Sequence, residues 1–387
     1  MTEAMRPYLD RLQSRALVVG VVGLLATAAG FAMNSEQFYR SYLLAFMLWS
    51  GVALGSLSLL MLHHMVGGGW GVAIRRGLEA GTRTLPLVVL LFLPLAFGVH
   101  SLYEWSHPDV VARDPVLQSK QMYLNQTGFY VRAAIYFVIW FFLTARLNKM
   151  TEEQERVGYW AIRPRLQRLS APGIIVHSLC ITFASVDWVM SIEPHYFSTI
   201  YGAIFMVNQA LSTFAVMIFV LCLLSTKAPM QGVVKTQTYH DLGSLMFAFN
   251  MLWAYVSFSQ LLIVWSANLP EEIAYYVKRM RGGWEYVGLA VFLFHFCVIF
   301  VLLLMKKIKR NPHLLRRVAA YVLLMRVLDL FWVIRPAFSH GMENGAPASH
   351  FSIHWLDIAA PVALGGIWMA FFAFQLKKRP LEPLALE

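Results

Sequence analysis

The feature that most constrains this chain is a succession of apolar runs, each about as long as a lipid bilayer is thick. About 20 mostly apolar residues in a helix cross a hydrocarbon layer of roughly 30 Å, and a backbone facing lipid must satisfy its own hydrogen bonds. Ten such segments are expected, near residues 16–33, 43–64, 85–100, 129–147, 173–190, 200–224, 242–265, 284–304, 319–338 and 358–374. Hydrophobic residues make up 58% of the chain and charged ones 14%, against roughly 25% charged in a soluble domain, so the apolar excess exceeds what one soluble core can hide. The expected fold class is an all-α integral membrane protein of about ten transmembrane helices. It forms a single polytopic domain over residues 1–387, because no stretch between spans exceeds about 30 residues.

The net charge of +11 follows the topology. With the spans above, 23 of the 32 Lys and Arg fall on the side of the N-terminus, 7 fall opposite, and Arg132 and Arg326 lie within spans. The positive-inside rule then places both termini in the cytoplasm. Basicity of this kind reports orientation, and no nucleic-acid partner is expected. The first span follows a basic stretch but lacks a small-residue cleavage site after its apolar core, so it is expected to be retained. Aromatic residues at the outer ends (Tyr103, Trp105, Tyr196, Phe197, Tyr275, Tyr276 and Trp284) suit an interfacial belt. Glu193, His195, His340, Glu343, His350, His354 and Asp357 gather on the outer loops.

Ionisable groups within a bilayer are costly unless paired or hydrated, which makes each a functional candidate. They are His100 with Glu104, Arg132, His177, Asp187, His295, Arg326 and Asp329. His100 and Glu104 are four apart and Arg326 and Asp329 three apart, spacings that share a helix face. His177 and Asp187 are ten apart, about 15 Å along a helix, and would mark two stations of one proton route. Against each reading stands a plainer one, a structural ion pair or a histidine bonded to a neighbouring helix. Cys180, Cys222 and Cys297 lie singly in three spans, which allows neither a disulfide framework nor a CxxC site. CxxCH, an iron–sulfur cysteine set and helix-spaced haem histidines are missing, and Gly67–Gly69 lacks the Lys-Ser/Thr of a P-loop. A quinone is then the one plausible electron carrier within the chain.

Several longer motifs carry a family resemblance. They read SVDWVMSIEPHYFSTIYG at 185–202, YHDLG at 239–243, LWAYVSFSQ at 252–260, WSANLPEE at 265–272, DLFW at 329–332, HWLD at 354–357 and WMAF at 368–371. Together they resemble the F subunit of bacterial alternative complex III, a quinol:electron-acceptor oxidoreductase, also called its second quinone-binding subunit. That family is similar to the membrane subunits of polysulfide and nitrite reductase complexes. The resemblance implies two four-helix bundles, spans two to five at about 43–190 and six to nine at about 200–338, flanked by spans one and ten. It implies a bacterial inner-membrane location and, as partners, a homologous C-type membrane subunit, an iron–sulfur subunit, periplasmic haem c subunits and small membrane subunits. No covalently bound cofactor is expected; a quinone (menaquinone or ubiquinone) and lipids are the candidate ligands. His177, Asp187, His295, Arg326 and Asp329 become proton-path candidates, and His100, Glu104, Arg132 and Asp187 an outer quinone pocket. The expected role is anchoring, assembly and proton translocation in a complex that passes quinol electrons to a periplasmic cytochrome c or copper protein. Two alternatives are a quinol-oxidation site within this chain and a secondary transporter with a midplane site.

Overall fold

The computed structural model describes residues 2–228, 230–338, 341–343, 346–348 and 350–379. The chain is an all-α integral membrane protein. Its main helices are α1 (Thr2–Met33), α2 (Ser35–Val66), α3 (Gly69–Thr82), α4 (Leu85–Phe97), α5 (Gln126–Val157), α6 (Tyr159–Trp188), α7 (Tyr201–Ser225), α8 (Thr236–Ala267), α9 (Pro270–Arg279), α10 (Trp284–Leu304), α11 (Pro312–Ile334) and α12 (Leu356–Leu376). A short antiparallel hairpin pairs Gly341–Glu343 with Ala346–Ala348. Among the described residues, eight helices are long and apolar enough to cross a membrane, or nine if α3 and α4 count as one bent span. With 23 residues, α11 is long enough as well, but Arg317, Arg326 and Asp329 lower its apolar character.

The burial pattern follows the composition of each helix. Apolar on every side, α2 and α7 are the most enclosed, with 94% and 89% of their most apolar stretches buried. Their close approach depends on Gly55, where a Cβ would lie 2.6 Å from the Gln209 carbonyl oxygen. Thr213 on α7 donates to the Val52 carbonyl of α2 at 3.1 Å across the same seam. Around this axis α2 packs on α3, α4 and α6, while α7 packs on α8 and α11. On the other side of α2 lies α12, and α1 covers α12 through small residues: Gly20 and Gly23 face Gly366 and Ala363. Trp49 donates to the Pro361 carbonyl at 2.8 Å, and Trp368 donates to Thr84 Oγ1 at 3.0 Å.

The third crossing differs from the span expected at 85–100. Its apolar helix α4 has 13 residues, about 20 Å at the helical rise and too short to cross. It continues α3 after a 46° bend, where Thr84 Oγ1 donates to the Gly81 carbonyl and Pro86 begins a fresh first turn. Arg75 and Arg76 therefore lie within α3 and Arg83 at its C-terminal end, not in a free loop. They surround Glu79, which receives Arg75 and Arg76 at 2.9 Å each and Arg379 of the C-terminal tail at 3.5 Å.

The aromatic belt also needs correction. Tyr103, Trp105, Tyr196, Tyr275, Tyr276 and Trp284 are buried, and of the seven only Phe197 is exposed. These rings plug the loop end of the bundle. Tyr196 stacks on Tyr275 at 4.1 Å, and Tyr103 donates to the Trp188 carbonyl at 2.9 Å. The loops at this end also join through charge: Glu193 receives Arg279 at 2.7 Å and Lys278 at 3.2 Å. His340 lies outside the described residues, as does the side chain of Glu343.

Candidate functional site

Among the buried carboxylates, Asp187 in the first half of the chain and Asp329 in the second lie within the helices expected to carry protons. In the first half, Asp187 sits one residue before the end of α6, and Arg132 reaches it from α5. Arg132 Nε lies 2.9 and 3.2 Å from the two carboxylate oxygens, and the Tyr136 hydroxyl donates at 2.7 Å. The guanidinium also lies 3.9 Å over the Tyr123 ring. Trp188, Phe92, Phe137 and Trp140 close the space beside it in a chain of ring contacts. A charge pair this enclosed persists because both oxygens keep donors.

The expected outer pocket assembles only in part. Arg132 and Asp187 come together, but His100 is exposed, its carbonyl and ring contacted by His107. The helical spacing that would align His100 with Glu104 does not apply, because Tyr103 between them is extended (φ −126°, ψ 120°) and starts a new 3₁₀ turn. Glu104 instead lines a small cavity with Glu193, His195, Glu271 and Lys278. His177 is buried deeper on α6, where its Nε2 lies 2.7 Å from Ser58 Oγ of α2. It faces the seam between α2 and α6, so both elements would have to carry any route onward to Asp187.

In the second half, Asp329 of α11 accepts from Arg326 at 2.5 Å, as a spacing of three allows, and Arg326 Nε reaches Ser212 of α7 at 3.3 Å. Both members of the pair belong to one helix. His295 lies on α10 within a π-helical stretch, Val291–Val298, a form that often accompanies functional sites. Its ring stands edge-on at 4.0 Å from Trp253 of α8. Both ring nitrogens of His295 and both polar atoms of Asn250 on α8 are buried without a hydrogen-bond partner among the described residues. Such orphaned polar atoms cost about 1–3 kcal/mol each, which makes this the least satisfied part of the interior.

Asp329 also lines a cavity of about 550 Å³ between α7, α8, α9, α10 and α11. Half of its lining residues are aromatic, several of them from α8 and from the π-helical stretch of α10, a placement that no sequence motif announced. The sequence reading also missed Glu79 with its arginines, and it placed Glu193 and Asp357 on the outer loops, where Glu193 is held by Arg279 and Asp357 is buried. Asp357 accepts from Ser41 at 2.6 Å and lies 3.4 Å from Arg335. The Glu193 and Asp357 contacts join residues far apart in sequence, while Arg75, Arg76 and Glu79 stand at helical spacing on α3; the signal available was an acid among apolar residues near a span end. No group of three or more His, Cys, Asp or Glu able to hold a metal ion occurs among the described residues. Cys180, Cys222 and Cys297 are free thiols.

Comparison of the chain with models of known protein families gives no match, and no curated protein matches it in sequence. The geometry therefore carries the functional reading.

Proposed function

We propose that this chain is the non-haem membrane subunit of a quinol:electron-acceptor oxidoreductase of the alternative complex III type. In this reading it lies in a bacterial inner membrane with both termini in the cytoplasm. It anchors the partner C-type, iron–sulfur and haem c subunits, and passes protons along its buried ionisable groups. The observation that carries the proton role is the repetition of one chemistry in both halves: a buried carboxylate held by an arginine, with a buried histidine on a helix of the same half. Asp187 with Arg132 and His177, and Asp329 with Arg326 and His295, are the two sets. A buried acid held beside an arginine can exchange a proton only when the pair is separated, so each set is a gate and not an open wire. The motifs at 185–202 and 252–272 support the assignment to this kind of complex.

The test uses the whole complex in liposomes. Asp187→Asn and Asp329→Asn should each lower the number of protons moved per electron while quinol oxidation stays within about twofold. Unchanged proton stoichiometry in both variants removes the proton role. Purification of the tagged chain free of haem c and iron–sulfur partners removes the anchoring role.

Two other readings are weaker on this geometry. A quinol-oxidation site in which His100 or Asp187 accepts the quinol proton and Glu104 passes it outward gains little from this geometry, because Asp187 is packed among rings, His100 is exposed and Glu104 lines a small cavity with Glu193 and Lys278. A secondary transporter predicts interrupted helices at corresponding places in the two halves. The bend between α3 and α4 has no such counterpart, because α8, second in its half, runs 32 residues unbroken.

A further inference from the structure

A buried amide or imidazole keeps hydrogen-bond partners, so polar side chains that find none within the fold point to a ligand that supplies them. Asn148 in the first half shows the ordinary case. It donates to Thr82 at 3.1 Å and to the Thr144 carbonyl at 2.9 Å, and accepts from Arg83 at 2.9 Å. Asn250 on α8 is fully buried, and neither polar atom of its side chain has a partner among the described residues. His295 on α10 is fully buried with both ring nitrogens unpartnered, whereas the buried His177 keeps Ser58 at 2.7 Å.

These groups converge in the second half. The His295 ring stands 4.0 Å from Trp253, and Trp253 is three residues from Asn250 on the buried face of α8. Asn208 on α7 adds a third group, a buried amide whose oxygen is unpartnered. It lies one turn from Ser212, the residue that Arg326 reaches from α11 at 3.3 Å. Arg326 itself is engaged by Asp329 and Ser212, and it lies within electrostatic reach of His295. The charges narrow the choice of ligand. A cation would face Arg326 and find the one nearby carboxylate taken. An anion would face Asp329 and leave the amide oxygens of Asn208 and Asn250 unserved. Water both donates and accepts, and suits all five unpartnered atoms.

We propose that ordered water molecules bind between α7, α8 and α10, bridging Asn208, Asn250 and His295. At about three hydrogen bonds per buried water, roughly two molecules serve these atoms. The bridge ties α10 to α8 at its π-helical stretch Val291–Val298, where the ring contact with Trp253 alone leaves the imidazole unserved. The site goes beyond the proton role: the waters bind whether or not Asp329 exchanges a proton, and their presence is read without measuring proton movement.

The experiment is radiolytic hydroxyl-radical footprinting of the full chain in phosphatidylcholine nanodiscs, read by peptide mass spectrometry. Radicals formed from a bound water oxidise the side chains beside it even where bulk solvent is excluded. Trp253 should be oxidised about tenfold faster than Trp49 and Trp368, buried tryptophans whose indole N–H groups are hydrogen-bonded within the fold, and His295 should be oxidised with it. A radical scavenger in the bulk solvent should leave the Trp253 rate unchanged within about twofold. Asn250→Leu keeps the size of the side chain while removing partners from the waters, so it should slow Trp253 oxidation about fivefold and lower the melting temperature. In a dry interior the same change removes two unserved polar atoms and raises the melting temperature. Trp253 oxidised no faster than Trp368 overturns the proposal, and so does a Trp253 rate that the scavenger suppresses, which marks entry of bulk solvent. A folded Asn250→Leu that melts higher or keeps the parent rate overturns it as well. The comparison of Trp253 with Trp368 needs only the parent protein and decides the matter if Asn250→Leu does not fold.

Discussion

The two halves of the molecule hold similar polar groups in different surroundings. In the first, Asp187 accepts three hydrogen bonds from two side chains, with Arg132 Nε–H shared between its oxygens, and is walled by Trp and Phe rings. In the second, Asp329 has an arginine from its own helix, opens on a cavity, and lies in a region with unpartnered His295 and Asn250. The difference teaches that a buried acid held by an arginine can be saturated with further donors or left with ligand-sized space beside it, and only the second arrangement invites a partner. The cations differ as well: the Arg326 side chain is 1% exposed, and that of Arg132 is 20% exposed.

The largest expected contrast comes from removing each acid. Asp329→Ala strands a fully buried guanidinium, and breaking such a pair costs about 3–5 kcal/mol. Asp187→Ala leaves Arg132 partly exposed and still over the Tyr123 ring, a contact worth about 0.5–2 kcal/mol, so its cost should be about half as large. Thermal unfolding of the two variants in one detergent measures the order. A reversed order would mean that the cavity already hydrates Arg326, and the contrast between a saturated and an open half would then rest on water and not on packing.

A second, smaller contrast concerns space. Phenylalanine at Ala184, buried on α6 in the first half, should destabilise by about 1–3 kcal/mol through overpacking. Phenylalanine at Ala254, on the cavity wall of the second half, should change stability by no more than about 0.5 kcal/mol. Equal losses at the two positions, read by the same unfolding assay, would show that the cavity walls are as tightly held as the first-half core.

These contrasts separate what a sequence can show from what it cannot. The helices were legible because each span satisfies its own backbone and declares itself by length and polarity, as α2 and α7 do. The Arg326–Asp329 contact was legible because a spacing of three on one helix fixes it. His100 and Glu104 have an equally good spacing, yet Tyr103 leaves the helix between them, and spacing means nothing across a break. Arg75, Arg76 and Arg83 read as charges between spans because α3 is too short and too polar to declare itself; once it forms, Arg75 and Arg76 meet Glu79 at helical spacing, and Arg379 adds to them from the far end of the chain. The rings at the loop end read as a belt because composition does not say which way a side chain faces. The cavity was invisible for a related reason. It is formed jointly by residues of α7, α8, α9, α10 and α11, a property of helix packing that residues on any one helix do not encode alone.

The smallest effect tests how firmly the loops of the two halves are joined. Asp114, in the loop before α5, lies 2.8 Å from His195 in the segment leading to α7. Burial alone would raise the Asp114 pKa, but the backbone N–H groups of Val116 and Leu117 and the His195 ring outweigh it and hold the carboxyl below its usual value. A depressed carboxyl contributes stability above its unfolded pKa and loses it as pH falls through the folded one. Asp114→Asn should therefore lower the melting temperature slightly at neutral pH, and the difference from the parent should vanish in acid. Because both side chains are largely solvated, added salt should also shrink it. A difference that survives both acid and salt would show that the loop turn at Val116 and Leu117, and not the charge on His195, holds the halves together at this end.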